Sequence, residues 1–208
     1  MKKLLNRLNC LPARFVAKKT SRQELERVNI TKDYTEATDG YIAIRVTRPS
    51  EFEAKDFPKG ADTELLDEEE YQVDGKSLKD LEKEIPKKSS DPILCNAVEV
   101  GAKEGVAAMQ FVNPEHTEVI GNKFMKKYQE HYPNLNPLLE AGREAEGIEV
   151  KVNPAFLETI VKAMKDFQKG ESAPYMTIKV SAKDKAVYFV SKRKDGQEAE
   201  ALAMPIRD

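Results

Sequence analysis

The sequence predicts an α+β fold of repeated β-α-β-β-β units, with antiparallel sheets and helices on one face. Three observations predict it. Short segments rich in β-formers, such as residues 41–46 and 148–152, are bounded by Gly, Pro, Asn and Asp. Two longer segments carry apolar residues at helical spacing and begin at capping residues. The order strand–helix–strand–strand–strand then returns after about 75 residues, between the strands at Val73 and Val150, as structural repetition without visible sequence identity.

Each element follows from its residues. Residues 1–10 read as a short helix with Leu4, Leu5 and Leu8 on one face. Residues 12–18 and 25–32 alternate loosely as strands. Thr38-Asp39-Gly40 is a turn, because Asp-Gly favours tight reversals. Residues 41–46 form a strand. Residues 49–70 hold Pro49, Pro58, Gly60 and the run Asp67-Glu68-Glu69-Glu70, and read as a long solvated excursion.

The pattern then resets. Tyr71-Gln72-Val73 is a short strand. Ser77 is the expected N-cap, with Asp80 three residues on. Leu78, Leu81 and Ile85 form the buried stripe of a helix that Pro86 stops. Strands are expected at 93–100, 105–112 and 117–121, and residues 123–130 stay open between strand and helix. Tyr132-Pro133-Asn134 breaks the chain, and Pro137-Leu138-Leu139 makes a turn or a single helical turn. After Gly147, residues 148–152 alternate as a strand. Asn153 caps a helix with Pro154 at its first position, and Phe156, Leu157, Ile160, Val161, Met164 and Phe167 form its apolar face. Gly170 stops it, and strands follow at 175–182, 186–192 and 197–205. The expected units are 1–65, 66–140 and 141–208, packed as one or two compact domains.

Composition narrows the function. The 208 residues are 40% hydrophobic and 34% charged, which permits a core beneath a heavily solvated surface. No apolar run approaches the roughly 20 residues that cross a bilayer, and Asn6, Arg7 and Asn9 interrupt any signal-peptide core. The expectation is a cytoplasmic protein with no membrane partner. Cys10 and Cys95 are too few for a disulfide framework, and His116 and His131 have no ligand spacing, so no metal or cofactor is expected. The sequence lacks Gly-x-Gly-x-x-Gly, a phosphate loop, Gly-x-Ser-x-Gly and His-Glu-x-x-His, which argues against an enzyme. The net charge of −2 is uneven: residues 1–27 hold eight Lys/Arg against two Glu, and residues 50–85 hold thirteen Asp/Glu against five Lys. Such a balance neither demands nor excludes nucleic acid.

Five local motifs, in order, resemble the bacterial DNA sliding clamp, the beta subunit of the replicative polymerase. They are Arg22-Gln23-Glu24-Leu25-Glu26-Arg27-Val28, Glu36-Ala37-Thr38-Asp39-Gly40-Tyr41, Tyr132-Pro133-Asn134 with Leu138-Leu139, Val152-Asn153-Pro154, and Ala203-Met204-Pro205-Ile206-Arg207. Tyr41 stands where that family usually has His, and Ile42 where it usually has Arg. A bacterial clamp holds six units per chain. With two and a half to three units here, the resemblance implies a trimeric or larger ring, or no ring.

The resemblance implies a DNA-clamp-like fold and a processivity or tethering role as a homo-oligomer on double-stranded DNA. It further implies a pocket for a short apolar peptide of a polymerase or another clamp-binding protein. The matching positions are Thr38, Gly40, Tyr41, Ile42, Pro133, Leu138, Met204, Pro205, Ile206 and Arg207. Apolar walls accept an aromatic or leucine anchor, Met adapts, and Arg holds a carbonyl or carboxylate. Clamp helices face DNA, and the exposed lysines on the two helices, Lys76, Lys79 and Lys83, then Lys162, Lys165 and Lys169, are the candidates for nonspecific phosphate contacts. A clamp-fold interaction module that does not encircle DNA is the alternative. A small enzyme on an unrelated α+β fold is the third class.

Overall fold

Strand pairing organises the chain: most strands pair with a neighbour in sequence, and two pairings, Leu4–Asn6 with Asn96–Gly101 and Arg27–Thr31 with Glu70–Asp74, join distant segments. The structure, a computed structural model, describes residues 4–49, 70–101, 104–113, 115, 117–144, 146–194 and 197–206. The excursion expected at 49–70, apart from its two ends, His116 and Arg207 lie outside the described residues. The chain divides into two compact units, Met1–Pro137 and Leu138–Asp208.

The first unit holds two four-stranded antiparallel sheets. One runs β4-β3-β2-β5, from β2 (Arg27–Thr31), β3 (Tyr34–Thr38), β4 (Ala43–Thr47) and β5 (Glu70–Asp74). The other runs β1-β6-β7-β8, from β1 (Leu4–Asn6), β6 (Asn96–Gly101), β7 (Val106–Val112) and β8 (Val119–Lys126). Two repeats interlock in this unit. The strand before each repeat's helical segment joins the other repeat's sheet: β5 pairs with β2 in the register Val28↔Val73, and β1 pairs with β6 in the register Leu5↔Ala97. The sheets thus exchange strands across the 65/66 boundary expected from sequence.

The helical segments are a 3-10 helix, Arg7–Arg14, and α1, Gly75–Glu84. Each starts at a polar cap immediately after its strand. The Asn6 side chain accepts from the Leu8 and Asn9 N–H groups, and Asp74 accepts from the Ser77 N–H at 2.8 Å. Leu78, Leu81 and Ile85 are fully buried beside Leu5, Cys10, Val28, Ile30, Val73, Met109 and Met125. Burying such side chains contributes about 1.5–3 kcal/mol each before entropy. The helical segments touch directly. The Arg7 guanidinium donates to the Ile85 and Glu82 carbonyls, and Arg14 pairs with Glu82 at 3.0 Å. A buried ion pair, Arg48–Glu99 at 2.6 Å, ties β6 to the end of β4, and Tyr71 donates to the same carboxylate.

The second unit holds one repeat. Segment 148–152 leads to Asn153, whose side chain accepts from the Ala155 N–H at 2.9 Å and caps α3 (Pro154–Phe167). A three-stranded antiparallel sheet follows, ordered β11-β10-β9, from β9 (Thr177–Lys179), β10 (Val187–Lys192) and β11 (Glu198–Ala203). Ile160, Met164, Val187, Phe189 and Ala203 form its core. Ahead of this repeat in sequence, α2 (Asn136–Glu144) spans the division into units.

Several expectations need correction. The N-terminal helix is β1 followed by a 3-10 helix, because Leu4 and Leu5 pair with a strand over ninety residues away. The strand expected at 12–18 is absent, since Arg7–Arg14 is helical. The strand β3 lies between the expected strand at 25–32 and the turn at Gly40, where no strand was assigned; its buried Glu36 is neutralised by Arg45 at 2.6 Å. Asp74, not Ser77, caps α1. Residues 136–144 form a full helix. Residues 148–152 form no strand and make a single bridge, Val152 to Pro205.

Candidate functional site

The turn after β3 is built by its own polar side chains. Gly40 takes a left-handed φ of 95°, which glycine adopts without a side-chain clash. The Asp39 carboxylate accepts the Tyr41 N–H at 2.8 Å and the Ile42 N–H at 2.9 Å. These bonds favour the charged form and hold the carboxyl below the usual aspartate range. The Thr38 hydroxyl donates to the Ile42 carbonyl at 2.8 Å and accepts the Gly40 N–H at 3.0 Å. From the far end of the first unit, the Tyr132 hydroxyl accepts the Thr38 N–H at 3.2 Å and donates to the Arg27 carbonyl. Burial pushes the Tyr132 phenol above its usual pKa, so it stays protonated.

This scaffold holds apolar residues in water. Tyr41 is 97% exposed and Ile42 52% exposed. Half-buried Pro133 adjoins Tyr132. The structure therefore brings Thr38, Gly40, Tyr41 and Ile42 together in one turn of the first unit, whereas Pro133, next to the tethering Tyr132, lines a polar cleft with Glu36 and His131. Tyr132, which pins that turn, lies outside the pocket positions that the resemblance implies. Its hydrogen-bond partner lies 94 residues away, beyond any local signal.

In the second unit, β11 alternates. Ala199, Ala201 and Ala203 turn toward the core, while Leu202 and Met204 are exposed. The strand end is anchored by the Pro205–Val152 bridge and by the Ile206 N–H, which donates to the Lys151 carbonyl at 2.7 Å. Met204 and Ile206 remain exposed, as does Leu138 on α2. Met204, Pro205 and Ile206 are contiguous; Leu138 stands apart from them on another element.

The helix lysines are all exposed. Lys83 pairs with Asp80 and Lys162 with Glu158, each at 2.7 Å. Lys169 lies beyond the end of α3. The structure adds neighbours that sequence reasoning missed. Lys18, Lys19 and Arg27 line one groove of about 780 Å³ together with Lys76 and Lys79. The excess of basic residues in 1–27 was the available signal.

A polar cleft of about 490 Å³ holds Glu36, Glu70, Glu130 and His131. Two of its carboxylates are tied to cations of the same unit, Glu36 to Arg45 and Glu130 to Arg27 at 2.8 Å. The Asn29 amide bridges Glu36 and Glu70. Carboxylates engaged this way brace the sheet. Among the described residues, no cluster of three or more His, Cys, Asp or Glu could hold a metal ion, and no helix is long and apolar enough to cross a membrane.

No family model matches the chain, and no curated protein matches it in sequence. Solved structures do match. The DNA polymerase sliding clamp of Bacillus subtilis aligns with 99% of this chain at 13% identity and a TM-score of 0.61, over 49% of its own length. The beta subunit from Streptococcus pyogenes aligns with 100% at 14% identity and a TM-score of 0.55, over 50% of its length. The Bartonella birtlesii sliding clamp, solved bound to griselimycin, aligns with 99% at 12% identity and a TM-score of 0.59, over 51% of its length. The chain thus spans about half the length of these clamps. Interlocked repeats, capped helical segments and these alignments together show that the chain has the α+β fold of the bacterial sliding clamp, the beta subunit of DNA polymerase III.

Proposed function

We propose that this chain is a non-enzymatic, clamp-like tethering protein that associates with double-stranded DNA and holds partner proteins by a short apolar peptide. The supporting observation is the turn at Tyr41 and Ile42. Ordinary surface chemistry does not lock two large apolar side chains in water on a turn with five internal hydrogen bonds and a buried tyrosine behind it. A rigid apolar turn loses little entropy when it binds. The segment just after β11, Met204 to Ile206, is a second apolar surface suited to the same class of ligand, with Met adapting to varied side chains, and exposed Leu138 on α2 is a separate apolar contact. Lysines of the groove at Lys18, Lys19, Lys76 and Lys79, with Lys83, Lys162, Lys165 and Lys169, would meet phosphates without reading bases. The protein acts in the cytoplasm as a homo-oligomer in this reading.

Fluorescence titration of a labelled clamp-binding peptide tests the apolar sites, with griselimycin, the ligand of the Bartonella birtlesii clamp, as competitor. Tyr41→Ala with Ile42→Ala is expected to weaken peptide binding at least tenfold, and Met204→Ala with Ile206→Ala to weaken it further. Binding unchanged by both pairs would remove this reading.

A further inference from the structure

A buried carboxamide ordinarily finds partners for both of its ends. In the polar cleft of the first unit, two do not. Asn29 and Gln72 line this cleft and are each 2% exposed. They stand directly opposite each other on β2 and β5, so their side chains share one face of the sheet. The Asn29 amide nitrogen donates to Glu36 at 3.1 Å and to Glu70 at 2.8 Å, and that of Gln72 donates to the Glu130 carbonyl at 2.7 Å. Turning either amide over would set oxygen against oxygen, so these bonds fix which end lies where. Both amide oxygens are left buried and without a hydrogen-bond partner among the described residues.

The rest of the cleft defines what satisfies them. Its carboxylates are Glu36, Glu70 and Glu130. Arg45 neutralises Glu36 and Arg27 neutralises Glu130, whereas Glu70 accepts the neutral amide of Asn29. One negative charge is therefore left over among the described residues. Every group still open is an acceptor, two amide oxygens and a carboxylate, so the matching ligand is a positively charged donor. Tyr34, on the cleft wall, already carries the Arg45 guanidinium over its ring at 3.8 Å, an environment that suits flat cations. A metal ion matches poorly, because two of the three carboxylates are held by guanidinium and no metal-binding cluster occurs among the described residues. A single water could join the two oxygens, but it leaves the charge unanswered.

We propose that this cleft binds an organic cation with several N–H donors, an alkylguanidinium or a primary ammonium. Its charge lies against Glu70, and its N–H groups supply the oxygens of Asn29 and Gln72. Because both oxygens are buried, binding shifts the two amide side chains toward the ligand. The volume of about 490 Å³ falls within the range of small-molecule pockets. The site rests on neither the apolar turn at Tyr41 nor the lysine groove, and its readouts are separate from theirs.

Isothermal titration of the 208-residue protein with agmatine, and separately with acetyl-arginine amide, tests the proposal, alongside NMR of the side-chain amides. The expected result is one-to-one binding of at least one probe, with the Asn29 and Gln72 NH2 signals shifting together. Tighter agmatine assigns the cleft to a free amine, and tighter acetyl-arginine amide assigns it to an arginine of a protein. Glu70→Gln changes an exposed residue, keeps an acceptor and removes the spare charge. It is expected to weaken binding roughly tenfold or more. No heat and no shift up to about 10 mM of either probe, beyond the millimolar range of a weak specific site, overturns the proposal and leaves both oxygens to water. Binding unmoved by Glu70→Gln places the cation elsewhere and overturns it too, as does magnesium bound in preference to both probes.

Discussion

Asp39 shows how one side chain sets up a binding surface. Its carboxylate closes the turn by accepting two N–H groups, and those bonds lower its pKa. A depressed folded value means that the stabilisation is complete above the ordinary aspartate pKa of about 3.9 and is lost as pH falls through the lower folded value. Protection factors of the Tyr41 and Ile42 amides are therefore expected to hold steady from pH 8 to 5 and to collapse below about pH 3, where carboxyls protonate. Asp39→Asn keeps an acceptor oxygen without a titration, so its protection should show no acid transition. An identical acid profile for wild type and Asp39→Asn would mean that some other group closes the turn.

At the scale of the element, α1 begins at a close approach to the segment around Ala13 and Val16. A Cβ on Gly75 would lie 2.8 Å from Val16 Cγ2 and 3.6 Å from the Ala13 carbonyl oxygen. Alanine ordinarily favours a helix over glycine by about 1 kcal/mol. Overpacking costs about 1–3 kcal/mol, so the clash is expected to win and Gly75→Ala to destabilise the protein. In a Val16→Ala background the clash disappears, and the same substitution should become neutral or stabilising. Urea denaturation of the four proteins reads this cycle. A stabilised Gly75→Ala in the wild-type background would refute the close approach.

The elements also show what sequence reasoning can reach. Local signals were enough for α3 with Asn153 and Pro154, for the stripe Leu78, Leu81 and Ile85, and for the turn at Gly40. They failed where a strand depends on a distant partner. Leu4 and Leu5 look helical until β6 is beside them. Residues 148–152 have a strand's alternation, but among the described residues they make a single bridge, Val152 to Pro205. The site divides the same way: the Thr38 turn was legible, whereas its tether to Tyr132 and the grouping of Lys18 and Lys19 with Lys76 and Lys79 needed the fold.

For the whole molecule, the net charge of −2 makes nonspecific attraction to DNA a local matter. The groove of Lys18, Lys19, Lys76 and Lys79 concentrates positive charge on the first unit, whereas Lys162 on the second is already engaged by Glu158. Removing groove lysines should therefore weaken DNA binding more than removing Lys162. Each phosphate contact contributes about 0.9 to the slope of log affinity against log salt. The triple variant Lys18→Ala, Lys19→Ala, Lys79→Ala is expected to bind duplex DNA more weakly, equally across sequences, with a slope reduced by about 2–3. Lys162→Ala should change the slope by less than one contact's worth. Fluorescence anisotropy between about 50 and 200 mM salt, the range over which counterion release is steep, separates the outcomes. A slope unmoved by the triple variant would take DNA away from this groove. A loss confined to particular sequences would replace backbone tethering with base readout.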